Sequence, residues 1–203
     1  MTKVDGSLKY RGQVTPLMEL LLQRRSCRRY APGAATPEQV AYVLGCAQVF
    51  AARCGFEYPR LSVVEGDAFK AVVGAAMKGL IGKINPWLPF TQARHLLLCG
   101  AVLPADDGAA RERALKQAAM TMQVALLAAT ERGLGSCWMA GINHERIERV
   151  HPLPDGASLI AMSPLGAPPE RKGFSWDQLL YQLTSKRRKP LDTLWMEERW
   201  RTP

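Results

Sequence analysis

The chain has 203 residues, 47% of them apolar and 22% charged, with 27 basic against 18 acidic side chains for a net charge of +9. That balance suits one folded domain with its own core and excludes a disordered chain. Five cysteines without a C-x-x-C pair and three histidines without ligand spacing exclude a disulfide framework and a zinc site as expectations.

Residues 1–14, polar with two glycines, read as an N-terminal arm. Thr15-Pro16 supplies an N-cap and a first-turn proline for a helix running toward Arg24, and Thr36-Pro37-Glu38-Gln39 starts a second, with Gln39 placed to close a capping box. Val40, Val43, Leu44 and Ala47 form its apolar stripe. Pro59 to Glu65 reads as a strand ending at Gly66, Asp67 to about Leu80 as a helix, and Asn85-Pro86-Trp87 as a short turn. His95 to Val102 reads as a buried strand. The longest helix is predicted from about Asp107 to Arg132 with Gly133 at its C-terminal cap, and with Leu115, Ala119, Met122, Leu126 and Ala129 facing the core.

Ser136 to Ala140 reads as extended, Asn143 as the cap of a short helix, and Ala157 to Ser163 as a third strand closed by Pro164 and Gly166. Trp176 to Leu183 has a helical pattern, and the tail from 190 to 203 carries Leu194, Trp195 and Trp200, which need a surface to cover. With no internal repeat and no linker, the pattern predicts a single α+β domain over 1–203. Neither a signal peptide nor an apolar run of ~18 residues is present, so a cytoplasmic protein without a membrane span is expected. His95, His144 and His151 are each expected at the surface or at a helix end, and Cys137 as a buried structural thiol.

Two basic runs stand out. Arg24-Arg25-Ser26-Cys27-Arg28-Arg29 closes the first predicted helix, and Lys186-Arg187-Arg188-Lys189 precedes Pro190; together they hold eight of the 27 basic residues. Charge gathered so locally argues against a nucleic-acid face, where it would be spread out. Guanidinium groups beside a hydroxyl suit a phosphate dianion, because Arg binds it bidentately and Ser fills a remaining lone pair. On spacing alone a second reading stays open, a basic helix end complementing the macrodipole. The segment from Gly133 to Gly141 holds three glycines, which let backbone approach a flat ligand closely. No Walker lysine, G-x-G-x-x-G after a strand or G-x-S-x-G elbow is present.

The words Arg-Arg-Ser-x-Arg (24–28), Ala-Ala-Thr-x-x-Gly-Leu-Gly-Ser-Cys-Trp-x-x-Gly (128–141), Pro-Leu-Gly-x-Pro (164–168) and basic-x-Arg-Lys-Pro-Leu-Asp (186–192) occur in an order that resembles the nitroreductase family of flavin enzymes. The resemblance spans nearly the whole chain. It implies a three-layer α/β/α sandwich with a mostly antiparallel sheet, an intertwined homodimer wrapped by the C-terminal tail, and FMN at the subunit interface. Arg24, Arg25, Ser26 and Arg28 would hold the FMN phosphate and ribityl chain together with Lys186 and Arg188. Ala140 and Gly141 would present backbone to the isoalloxazine N5, where an N–H stabilises developing charge.

The implied activity is ping-pong transfer from NAD(P)H, a transient donor, to a nitroaromatic or quinone, with no side chain named as catalytic. Alternatives are a flavin-dependent dehydrogenase of a specialised substrate using oxygen, and a non-enzymatic flavin-binding protein. One segment departs from the family pattern. Aligned on Pro59, Phe56, Tyr58 and Arg60 stand where many members carry the Asn, Gln and Trp of Asn-x-Gln-Pro-Trp. Gly55-Phe56-Glu57-Tyr58-Pro59 is instead similar to the Gly-x-x-Tyr-Pro form of the branch that includes azoline dehydrogenases.

Overall fold

The computed structural model of the chain describes residues 14–76, 92–105 and 107–169. The chain divides into two compact units, Gln23–Glu170 and a second made of Met1–Leu22 with Arg171–Pro203. The expected turn at Asn85, the helix from Trp176 and the C-terminal tail lie outside the described residues.

Helix α1 spans Pro16–Gln23. Thr15 caps it as the sequence predicts, its hydroxyl accepting from the Met18 N–H at 3.3 Å and its carbonyl from the Glu19 N–H at 2.9 Å. In the larger unit follow α2 (Pro37–Arg53), β1 (Pro59–Val64), α3 (Gly66–Ala76), β2 (His95–Val102), α4 (Gly108–Glu131), β3 (Gly135–Ser136), α5 (His144–Val150) and β4 (Ala157–Gly166). The α2 capping box closes in both directions: the Gln39 N–H donates to the Thr36 hydroxyl at 3.3 Å and the Thr36 N–H to Gln39 Oε1 at 2.9 Å.

The four strands lie in the order β1-β2-β4-β3, every neighbouring pair antiparallel. Strand β2 is apolar along nearly its whole length because both its faces are covered. Leu97, Cys99 and Ala101 pack with Val43 and Ala47 of α2 and Met122, Leu126 and Ala129 of α4, while Leu96 and Leu98 pack with Val72 of α3, Ile147 of α5, and Leu159 and Met162 of β4. Helices on both sides of an antiparallel sheet make the expected α/β/α layering, an α+β fold. Leu96, Leu97 and Leu98 are at most 1% exposed, and each such burial contributes about 1.5–3 kcal/mol.

Three local expectations change. The buried stripe of α4 runs through Ala110, Ala114, Ala118, Thr121, Met122, Ala125, Leu126 and Ala129, one position out of phase with the expected start, so that Leu115 is exposed. The core face is built mainly of alanines, which let α4 approach the sheet closely and carry little weight in a hydrophobic pattern. Strand β4 does not close at Pro164 but continues through it to Gly166. Beside that proline, which has no N–H to offer, β3 has already ended, and the Cys137 N–H turns to the Ser163 hydroxyl at 2.9 Å. Finally, His95 is buried at the head of β2, its Nε2 2.9 Å from Glu65 Oε2, whereas His144 and His151 do sit at the two ends of α5.

Candidate functional site

The first basic run lies beyond α1, not in its last turn, which contains no basic residue. Instead the run is extended, and Ser26 forms a parallel bridge with Ser136 at the end of β3, the Cys27 N–H donating to the Ser136 carbonyl at 2.8 Å. Two segments far apart in sequence, the arginine run and the glycine-rich segment, thus meet at one edge of the sheet.

Several groups hold that meeting in place. Cys27 and Tyr30 are buried, and the Tyr30 hydroxyl donates to the Cys27 carbonyl at 2.6 Å. The Ala31 N–H reaches the Ala167 carbonyl at 2.9 Å, tying the far end of the run to the end of β4. Gly135 is required by contact: a Cβ there would lie 2.8 Å from Cys27 Sγ and 2.9 Å from Cys27 Cβ. Gly133 is required by conformation, since its φ of +71° reverses the chain at the end of α4, as the sequence predicts for a C-terminal cap. Beyond β3, Met139 exchanges both backbone hydrogen bonds with Met162 of β4 at 2.9 Å, and the chain turns outward at Ala140 and Gly141, both exposed.

Arg24 is half-buried, and burial pulls its guanidinium below the ordinary value by more than the nearby Cys137 thiol and Tyr30 phenol restore. Among the described residues no carboxylate is within ion-pairing distance of Arg24, Arg25 or Arg28. The Ser136 hydroxyl, in a residue 1% exposed, has no hydrogen-bond partner among the described residues. A partly desolvated guanidinium and an unsatisfied buried hydroxyl are each costly alone, and a polyoxygen anion is a group that could relieve such donors. The donor set fits a phosphate-bearing cofactor such as FMN.

The nitroreductase family model matches residues 21–167, from the end of α1 to just past β4. The chain belongs to the nitroreductase family. Solved structures with the same fold include nitroreductase A from Vibrio parahaemolyticus, at TM-score 0.73 and 15% identity over 94% of this chain and 79% of that one. Another, described as an oxidoreductase containing FMN, matches at TM-score 0.72 and 18% identity over 96% of each chain. A nitroreductase family protein from Clostridium novyi matches at 0.64 and 22% over 77% of this chain and 87% of that one. No curated protein matches the sequence.

Of the residues expected at a nitroreductase cofactor site, Arg24, Arg25, Ser26 and Arg28 lie on the extended run and Ala140 and Gly141 on the turn beyond β3, in one unit of the chain. Lys186 and Arg188 lie outside the described residues. Sequence reasoning did not assign Ser136 or Ser163 a part. Ser136 sat inside a quoted motif, but nothing in that motif marks its hydroxyl as unpartnered. The unusual Gly55–Pro59 segment has structural duties: Gly55, at φ +67°, follows the C-cap of α2, and Tyr58 packs against the α2/α4 core while its carbonyl accepts from the Val102 N–H at 3.0 Å. Among the described residues no helix is long and apolar enough to cross a membrane, and no group of three or more His, Cys, Asp or Glu could hold a metal ion.

Proposed function

We propose that the protein is an FMN-dependent oxidoreductase that takes reducing equivalents from NAD(P)H and passes them to a flat acceptor of nitroaromatic or quinone type. The observation that carries this reading is the seating of Ser26 against Ser136, which brings the arginine run, without a carboxylate partner among the described residues, to the glycine-rich segment of a nitroreductase-family chain. When bound, FMN supplies the redox chemistry, accepting two electrons from one partner and giving them to the next. Arg24, Arg25, Ser26 and Arg28 bind the phosphate and ribityl end, and the family resemblance adds Lys186 and Arg188. The exposed backbone at Ala140 and Gly141 would be presented to the ring system, where a fixed peptide dipole would favour added negative charge. The chain works as a homodimer with the cofactor at the subunit interface.

Anaerobic mixing of the FMN-loaded protein with NADH or NADPH tests the reading. Loss of the flavin's visible absorbance, followed by its return on adding a quinone or nitroaromatic, is the expected result. Flavin that stays oxidised with both nicotinamides would favour the dehydrogenase reading suggested by the Gly-x-x-Tyr-Pro segment, in which a specialised substrate is the electron donor.

A further inference from the structure

We propose that Tyr30 is a positioning residue for the anion site and that the group it aims is the main-chain N–H of Arg28, an inference that rests on the flavin reading above. Tyr30 is buried over the junction of β3 and β4, where Gly135 and Gly166 face each other in register. A Cβ on Gly135 would stand 3.2 Å from Tyr30 Cε1, and one on Gly166 would stand 3.1 Å from Tyr30 Cδ1. One edge of the ring therefore rests on two strands at once, and a side chain at either glycine would crowd it.

From that seat the hydroxyl reaches back to its own segment. It donates to the Cys27 carbonyl at 2.6 Å, with the Pro164 carbonyl 3.4 Å away. The Cys27 thiol donates to the Arg29 carbonyl at 2.9 Å, so residues 27–30 close a small loop with Arg28 and Arg29 at its tip. Both ends of the loop are tied to the sheet, the Cys27 N–H to the Ser136 carbonyl and the Ala31 N–H to the Ala167 carbonyl. The phenol also lies within charge range of Arg24, which places that guanidinium and the loop in one neighbourhood.

The consequence for Arg28 follows from peptide geometry. The Cys27 carbonyl and the Arg28 N–H belong to one planar trans unit and point in opposite directions. With the carbonyl turned toward the Tyr30 hydroxyl above the two glycines, the N–H is turned away from them. Among the described residues nothing accepts from it, and Arg28 is half-buried while Arg29 is exposed. A directed main-chain donor inside a cationic run suits a phosphate oxygen, to which it makes a charge-assisted hydrogen bond. Tyr30 touches no ligand in this arrangement; it acts through the Cys27–Arg28 peptide.

Amide resonances and flavin affinities test the two halves together. In the wild type saturated with FMN, the Arg28 amide proton should move downfield from its place in the cofactor-free protein, and with riboflavin, which has no phosphate, it should not. Tyr30→Phe keeps the ring over the two glycines and removes only the hydroxyl. It should lower the ratio of FMN affinity to riboflavin affinity about threefold to tenfold, leave riboflavin affinity within about twofold of the wild type, and shrink the Arg28 shift. A purely structural Tyr30 would lower the melting temperature and leave both the ratio and the shift as they are. That result, or an Arg28 amide that responds alike to the two flavins, would overturn the proposal. Should Tyr30→Phe fail to fold, the wild-type comparison still decides whether the Arg28 N–H meets the phosphate. A wild-type protein that binds neither flavin would instead overturn the flavin reading itself.

Discussion

Replacing Gly135 by alanine presses on the contact that builds the site. The added Cβ would stand 2.8 Å from Cys27 Sγ, 2.9 Å from Cys27 Cβ and 3.2 Å from Tyr30 Cε1. Relaxed contacts between such atoms are about 3.5–4.0 Å, so β3 and the arginine run must part by up to ~1 Å. That movement stretches the bond from the Cys27 N–H to the Ser136 carbonyl, now 2.8 Å, a bond of a kind that contributes about 0.5–1.5 kcal/mol. With the strain of overpacking the total cost is about 1–3 kcal/mol, a fall in Tm of roughly 2–12 °C for a chain of this size. Thermal melting by circular dichroism measures the first consequence. Titration with FMN measures the second, since the arginines move with Cys27; an affinity loss of about tenfold corresponds to ~1.4 kcal/mol. Cys27→Gly removes both nearest atoms, so in the Gly135→Ala background it should cost less than it does alone. A Gly135→Ala protein that melts and binds FMN like the wild type would refute the argument that this close approach sets the site.

The phase of α4 is tested by two leucines: Leu126→Ala, at a fully buried position, should cost about 2–5 kcal/mol in denaturant unfolding, and Leu115→Ala, at an exposed one, within ~0.5 kcal/mol. Burial pushes the Cys99 thiol up to about 12, so a thiol reagent near neutral pH should label exposed Cys54 and leave Cys99 unmodified until the chain unfolds, as peptide mass mapping would reveal. Asp107, the N-cap of α4, is held below the usual carboxylate range chiefly by the Ala110 N–H, with the Ala109 N–H and Arg113 adding to it against partial desolvation. Its contribution is therefore present above the ordinary carboxylate value and lost as the pH falls through the lowered one. Melting temperatures measured across acidic pH should fall less steeply in Asp107→Asn, which keeps a capping oxygen without the titration; equal slopes would contradict this.

What the sequence revealed about this fold follows the range of the forces involved. Local hydrogen bonding was legible: the Thr36–Gln39 box, the Asn143 cap and the left-handed Gly133 all stand where side-chain chemistry placed them. Strand β2 was legible because a short unbroken apolar run is what burial on both faces demands. The phase of α4 was not, because an alanine face gives hydrophobic periodicity almost no contrast. At the site, the ordered motifs carried Arg24 to Arg28 and Ala140–Gly141. Spacing alone could not show that Ser26 would pair with Ser136, since a single parallel bridge between segments this distant leaves no local pattern.

The central claim, an anion clamp that makes this chain an FMN protein, is tested most directly by comparing FMN with riboflavin, which lacks the phosphate. Binding of each to the cofactor-free protein can be followed by flavin fluorescence, in the wild type and in Arg24→Ala. Charged hydrogen bonds contribute about 1.5–3 kcal/mol each, so loss of the phosphate's partners should weaken riboflavin by at least ~100-fold relative to FMN, and Arg24→Ala should close much of that gap. Equal affinity for the two flavins, or a gap that Arg24→Ala leaves untouched, would contradict the account.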